Sequence, residues 1–161
     1  WLGANLITAI LAAAAIGIFE ATIEKIVTLA ILMPIVASMG GIAGMQSLAL
    51  VIRSQATNQI GSSNSKLLIL KESAIGVLNG ILWSSVVSIA VYLWFESIFL
   101  GVVIAVALLV NLIIGAISGV TLPLILKKLN IDPAIAGGVI LTTITDIVGF
   151  ISLLGVATLI M

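Results

Sequence analysis

The chain consists of long apolar stretches separated by short polar connectors. The apolar stretches cover roughly residues 2–19, 26–52, 67–95, 98–126 and 134–160. A helix of about 20 apolar residues is long enough to cross the hydrocarbon core of a bilayer. The pattern therefore predicts an all-α integral membrane protein in which five helices cross the membrane.

Composition agrees with this class. Hydrophobic residues make up 62% of the chain and charged residues only 7%, whereas soluble domains carry about 25% charged residues. We therefore expect the lipid bilayer to cover most of the surface, as in a multi-pass protein of the cell membrane. The formal net charge of +0 provides no basic surface for nucleic acid, and we expect no nucleic-acid partner.

The residue types also argue against an enzyme. The chain has no Cys and no His, which excludes thiolate chemistry and Ser–His catalysis within it. An intramembrane aspartyl protease needs two facing carboxylates, and the predicted spans hold only one deep aspartate, Asp146. We therefore predict that the chain is not an enzyme.

Basic residues predict the orientation. Most of them flank the second and fourth connectors: Arg53, Lys66, Lys71, Lys127 and Lys128. Lys25 lies on the other side. Because cytoplasmic connectors are enriched in Lys and Arg, these two connectors are predicted to be cytoplasmic. The N-terminus is then cytoplasmic and the C-terminus external.

Glycines recur at four-residue spacing inside the spans, in the segments 40–44, 76–80 and 115–119. Such pairs allow two helices to approach closely, and for the last two segments we predict simple packing. For the segment 40–44, which follows Pro34, two interpretations remain open. It either packs against a neighbour or forms a locally broken helix that lines a cavity.

Asp146 is the most informative residue. It lies fourteen residues after Asp132 and fifteen before the C-terminus, which places it near the middle of the bilayer. A charge there costs about 3 kcal/mol on insertion scales. At 100° per residue, the small and polar residues around Asp146 fall within one arc of about 100° on the last predicted helix. Its members are Gly138, Thr142, Thr145, Asp146 and Gly149.

No Lys, Arg or His of the chain is predicted to share the depth of Asp146, so a cation from outside is the natural complement. Oxygen ligands without sulfur or imidazole favour a hard ion such as Mg²⁺ over zinc or copper. Three uses of the carboxylate stay open at this point: passage of a cation, proton-coupled transport, and a structural contact between helices.

Several segments carry a family resemblance. They are "GIFE" (17–20), "PIVASMGGIAGMQSLALVIRSQ" (34–55), "LLILKES" (67–73), "LPLILKKLNIDPA" (122–134) and "TTITDIVGF" (142–150). Together they resemble the transmembrane domain of the MgtE family of magnesium channels, which is related to the divalent-cation solute carriers. The resemblance covers most of residues 1–161, and it implies that cytoplasmic regulatory domains would precede Trp1.

The resemblance also implies a homodimer with a central pore lined by the second and fifth spans of each subunit. Asp146 matches the metal-binding position of the pore. The expected pore-lining residues are Gly40, Gly41 and Gly44, which match a glycine-rich break in the second span, and Gly138, Thr142, Thr145 and Gly149. The implied transported ion is Mg²⁺, with Mn²⁺ and Co²⁺ left open.

The sequence departs from the family pattern at Ile42 and Met45, where the family commonly has asparagines. It departs again at Gly138, where the family usually has a further asparagine. Ion selectivity therefore stays open. So does the mechanism, because a secondary transporter that exchanges a divalent cation for Na⁺ or H⁺ could use Asp146 as its coupling carboxylate.

Overall fold

The computed structural model describes residues 1–57 and 65–161, and these residues form a bundle of α-helices. The helices are α1 (Leu2–Gly17), α2 (Glu20–Lys25), α3 (Thr28–Ala56), α4 (Ser65–Phe95), α5 (Ile98–Lys128) and α6 (Pro133–Ile160). The described ranges contain no strand, which confirms the predicted all-α class.

Four helices, α3 to α6, are long and apolar enough to cross a membrane. Each has between 28 and 31 residues. At 1.5 Å per residue even the shortest extends about 42 Å, well beyond the hydrocarbon thickness of about 30 Å. The last four predicted spans therefore correspond to helices of sufficient length.

The first predicted span, 2–19, differs from the others. Its helix α1 has 16 residues, a length of about 24 Å, and the six-residue helix α2 follows it where the sequence predicts a connector. A crossing by α1 therefore stays a prediction. The packing is compatible with one, because the Oγ1 atoms of Thr22 and Thr158 lie 2.8 Å apart. This contact places the end of α1 and α2 beside the end of α6, as five alternating crossings require.

Helix α5 lies at the centre of the bundle and packs against α3, α4 and α6. Its buried face includes Ile104 and Leu108, which share one apolar core with Leu32 and Val36 of α3 and Leu153 of α6. This arrangement leaves α3 and α6 in contact with each other on one side of α5. The candidate site lies on these two helices.

The structure also groups the basic residues. The Nε2 atom of Gln55, near the end of α3, donates a hydrogen bond of 3.3 Å to the carbonyl oxygen of Pro123, near the end of α5. Successive long helices alternate in direction, so Arg53, Lys127 and the basic residues at the start of α4 lie at one end of the bundle. Which side of the membrane that end faces stays a prediction. Most of the polar second connector, residues 58–64, lies outside the described residues.

The glycine-rich break that the resemblance implies is absent from α3. The helix is continuous from Thr28 to Ala56, through both Pro34 and the segment 40–44. A Cβ at Gly44 would lie only 2.9 Å from the carbonyl oxygen of Gly115 on α5. The glycines therefore allow two backbones to approach closely without unwinding the helix.

The other two glycine pairs pack as predicted. A Cβ at Gly76 of α4 would lie 2.7 Å from the Cβ of Ala116 on α5, and one at Gly119 would overlap the carbonyl oxygen of Gly44. Since the missing side chains are what permits these contacts, close helix packing is confirmed for both segments.

Candidate functional site

Asp146 lies at the middle of α6, thirteen residues after Pro133 and fourteen before Ile160. The start of the helix is well defined, because the Oδ1 atom of Asp132 accepts a hydrogen bond of 2.9 Å from the backbone N–H of Ala134 and Pro133 occupies the first turn. The depth of Asp146 follows from this start. Its side chain is half-buried, and within residues 1–57 and 65–161 it has no hydrogen bond or ion pair.

The polar arc of α6 divides into two parts. Thr145 is 0% exposed and Gly149 is buried, whereas Gly138, Thr142 and Asp146 are half-buried. The first two residues therefore lie in contacts between helices of one chain. The other three lie at the edge of the bundle, where a bound ion could reach them.

Helix α3 supplies the neighbouring surface. A Cβ at Gly41 would lie 3.7 Å from the Oγ1 atom of Thr145, and one at Gly138 would lie 3.6 Å from the Cε atom of Met45. Gly41 is half-buried, while Ile42 and Met45 are exposed. The apolar side chain of Met45 thus stands beside the polar edge of α6, at one of the two positions where the resemblance leads one to expect amides.

A buried amide links three helices one turn from Asp146. Asn111 of α5 is 0% exposed, and its Nδ2 atom donates a hydrogen bond of 2.8 Å to the carbonyl oxygen of Val36 on α3. A Cβ at Gly149 of α6 would lie 2.8 Å from the same Nδ2 atom, and one at Gly40 would overlap the Asn111 side chain. Gly40 and Gly149 therefore make room for this amide.

The threonines around Asp146 direct their hydroxyl protons to their own helix. Thr142 donates to the carbonyl oxygen of Gly138 at 3.0 Å, and Thr143 donates to that of Val139 at 2.7 Å. Thr145 donates to that of Leu141 at 3.1 Å. Each hydroxyl oxygen keeps lone pairs with which it can accept a further hydrogen bond. The edge of α6 therefore offers acceptors.

A single chain supplies one acidic group to this site. Across the described residues, no group of three His, Cys, Asp or Glu side chains could hold a metal ion. Binding of a divalent cation at Asp146 therefore requires that the ion keep most of its water, or that a second chain contribute.

Three polar residues were missed as functional candidates by the sequence reasoning. Thr143 lies beside the arc that we defined and shares the half-buried side of α6 with Asp146. Asn111 is an isolated amide within the apolar stretch 98–126, and that isolation was the available signal. Glu72 falls within the predicted span 67–95, close to its polar start, and was not considered as a site. It lies inside α4 and is 7% exposed.

A bundle of long apolar helices with an unpaired carboxylate at the middle of one of them defines a multi-pass membrane protein with an intramembrane polar site. Comparison with known proteins identifies the group more closely. The MgtE family profile, described as "Divalent cation transporter", matches residues 33–156. The chain belongs to the MgtE family, a family of transporters rather than enzymes, and is a multi-pass protein of the cell membrane.

Curated relatives agree with this assignment. The chain is 37% identical over 158 residues to a protein of Bacillus subtilis named "Magnesium transporter MgtE", an alignment that covers 98% of this chain. Relatives with the same name from Enterococcus faecalis and Thermus thermophilus are each 30% identical over 161 residues, or 100% of this chain. The chain spans 35% to 36% of the length of these relatives.

Proposed function

We propose that this chain forms the membrane pathway for a divalent cation, Mg²⁺ above all, and that Asp146 binds the ion. Membership in the MgtE family and the magnesium-transporter names of three relatives support the choice of cargo. The observation that carries the proposal is Asp146 itself. It is a half-exposed carboxylate at mid-span with no partner among the described residues.

The acceptors beside Asp146 suit a hydrated ion. Mg²⁺ gives up water reluctantly and usually keeps several water ligands when it binds. Those water molecules point their hydrogens outward, so the site must accept hydrogen bonds. The Asp146 carboxylate and the hydroxyl oxygens of Thr142 and Thr143 can do so, because the hydroxyl protons are already directed to the helix backbone. Water-mediated contacts of this kind are nearly as favourable as direct ones.

Charge balance favours two copies of the chain. One carboxylate carries one negative charge, whereas a divalent cation carries two positive charges. We propose a homodimer in which α3 and α6 of each chain line a central pore, so that two Asp146 carboxylates face the ion together.

We propose that two sets of residues, which differ in burial, form different parts of this pore. Gly41, Gly138 and Thr142 are half-buried and adjoin the proposed pathway. A second set is buried behind them and shapes the wall through helix contacts: Gly40, Gly44, Thr145 and Gly149. Ile42 and Met45 offer no amide to a hydrated ion, so selectivity between Mg²⁺, Mn²⁺ and Co²⁺ rests mainly on Asp146 and the hydroxyl oxygens.

The test is divalent-cation flux into proteoliposomes that contain this chain. Asp146→Asn keeps the size of the side chain and removes its charge, so we expect it to abolish Mg²⁺ uptake. Asp132→Asn is the matched control, since it removes a carboxylate at the end of the bundle and retains an oxygen that can cap α6. Normal uptake by Asp146→Asn would contradict the proposal.

The same preparation distinguishes the two transport mechanisms. A channel conducts Mg²⁺ down its own gradient when Na⁺ is absent from both sides of the membrane, and it moves no protons in a fixed ratio to Mg²⁺. A Na⁺ exchanger cannot turn over without Na⁺, and an H⁺ exchanger moves protons across the membrane, which a pH-sensitive dye inside the vesicles detects. We propose the channel, and uptake that requires an opposing Na⁺ or H⁺ gradient would favour the exchanger instead.

A further inference from the structure

A second carboxylate lies within the long helices, apart from Asp146. Glu72 follows the start of α4 at Ser65 by seven residues, about 10 Å along the helix, and is 7% exposed. The Oγ atom of Ser47 on α3 donates a hydrogen bond of 2.8 Å to its Oε2 atom. This is the one hydrogen bond to the Glu72 side chain within the described ranges. One neutral hydroxyl does not balance a buried negative charge.

The surroundings of Glu72 form a polar cleft. A cavity of about 120 Å³ lies between α3, α4 and α5, and its polar lining consists of Gln46, Ser47, Glu72 and Asn79. Gln46 and Asn79 are exposed in the chain although both lie inside helices long enough to cross a membrane. Lipid offers no hydrogen bonds to such amides. The cleft therefore has the character of a binding site at membrane depth.

Basic side chains do not neutralise this cleft. Lys71 precedes Glu72 directly, so its side chain leaves α4 about 100° away around the helix, and it is exposed. Lys66, six residues before Glu72 on α4, and Arg53, near the end of α3, are exposed as well. In the part of the chain that the structure describes, neither these residues nor any other Lys or Arg forms an ion pair with Glu72. One positive charge is missing from the cleft.

We propose that this cleft binds a monovalent alkali cation, with Na⁺ as the probe that tests it. The Glu72 carboxylate supplies the single negative charge that matches such an ion. The hydroxyl oxygen of Ser47 and the amide oxygens of Gln46 and Asn79 supply neutral ligands of the same hard type. This site is distinct from the proposed Mg²⁺ pathway, since it uses a different carboxylate and a different face of α3, next to α4 and α5.

The geometry disfavours a divalent ion in the same place. Mg²⁺ demands a near-octahedral shell and keeps several water molecules unless carboxylates replace them. The cleft would have to build most of such a shell from the neutral oxygens of Gln46, Ser47 and Asn79. It also contains one carboxylate only, and no group of three acidic, His or Cys side chains occurs among the described residues.

The site would connect α3 to α4. Apart from this cleft the two helices are joined mainly through α5, against which each of them packs extensively. Ser47 lies six residues after Gly41, so the two residues leave α3 about 120° apart. A cation held by Glu72 and Ser47 would therefore tie the outer face of α3 to α4 without entering the Asp146 side. We expect the bound ion to stabilise the folded chain.

Thermal unfolding of the chain in detergent provides the test, with NaCl replaced by choline chloride at constant ionic strength. We expect the melting temperature of the unsubstituted chain to rise by about 3 °C between about 1 and about 300 mM Na⁺, because a ligand that binds the folded state alone stabilises it. Glu72→Gln should remove this dependence and raise the melting temperature in choline chloride, since the isolated charge is gone. Asp146→Asn should keep the full response to Na⁺.

Ser47→Ala provides a second variant that keeps the carboxylate, and it should weaken the response to Na⁺ without abolishing it. Equal melting temperatures in NaCl and choline chloride for the unsubstituted chain would overturn the proposal and indicate a protonated, structural Glu72. A response that survives in Glu72→Gln would place the ion elsewhere. If MgCl₂, and not NaCl, produced a response that depends on Glu72, the monovalent assignment would be wrong.

Discussion

The Nδ2 atom of Asn111 donates a hydrogen bond of 2.8 Å to the carbonyl oxygen of Val36, and this bond joins α5 to α3 inside the apolar core. The Oδ1 atom of the same side chain has no partner within the described residues. The amide lies against Gly149, three residues from Asp146 on α6. It therefore sets the spacing of the three helices at the depth of the proposed ion site.

Replacement of Asn111 by Ala should destabilise the chain by about 1 to 3 kcal/mol, because it removes a buried hydrogen bond and leaves a cavity beside Gly149. The measurement is the melting temperature in detergent. Asn5→Ala, at an exposed position near the N-terminus, is the control and should change little. An unchanged melting temperature for Asn111→Ala would show that the link between α5 and α3 contributes nothing to stability.

Gly40 and Gly41 should respond differently to substitution, although they are neighbours in the chain. A Cβ at Gly40 would overlap Asn111, whereas one at Gly41 would make an ordinary contact of 3.7 Å with Thr145. We therefore expect Gly40→Ala to lower the melting temperature and Gly41→Ala to leave it nearly unchanged. Equal melting temperatures for the two variants would show that the close approach of Asn111 to Gly40 does not limit the packing.

A larger side chain at Gly41 would project toward the proposed pathway. Gly41→Leu should reduce Mg²⁺ uptake in proteoliposomes while the chain still folds and inserts. Full uptake by this variant, with the amount of inserted protein verified, would show that Gly41 does not adjoin the path of the ion.

The hydroxyl oxygens of Thr142 and Thr143 should contribute to affinity rather than to folding. Val has the same shape and offers no lone pairs, so we expect each of Thr142→Val and Thr143→Val to weaken Mg²⁺ binding by about two- to tenfold, the value of one net hydrogen bond. Half-saturation of Mg²⁺ uptake measures the effect. Thr121→Val is the control, because Thr121 makes the same type of bond to its own helix on α5, at 2.8 Å to the carbonyl oxygen of Ile117. Equal losses at all three positions would indicate a general effect on helix packing.

Orientation can be tested because the chain has no cysteine. Single cysteines at Leu129 and Val27, both exposed between helices, should react with a membrane-impermeant maleimide from opposite sides. We expect Leu129→Cys to react from the cytoplasmic side and Val27→Cys from outside, since basic residues mark the cytoplasmic end. A label after Met161 should react from outside as well. The reverse pattern would invert the assigned topology.

The hydropathy of the sequence was sufficient to predict α3, α4, α5 and α6 and the central position of Asp146 on α6. These features depend on local composition and on helix geometry, because a run of apolar residues must satisfy its backbone hydrogen bonds internally when it lies in lipid. The first span was less predictable. Helix α1 ends at Gly17, before the last two residues of the predicted span, so the apolar pattern alone did not define the length of that helix.

The tertiary structure decided which side chains meet. In the sequence, segment 40–44 could be a break or a contact, and α5 supplied the answer, since its Gly115 and Asn111 fit against an unbroken α3. Glu72 lies within the predicted span 67–95, and only the packing of α3 beside α4 shows that its carboxylate is buried and bonded to Ser47. Periodicity shows which face of a helix a residue occupies, but the partner on that face depends on how separate helices pack, and this arrangement determines whether a polar side chain is buried, paired or free to bind an ion.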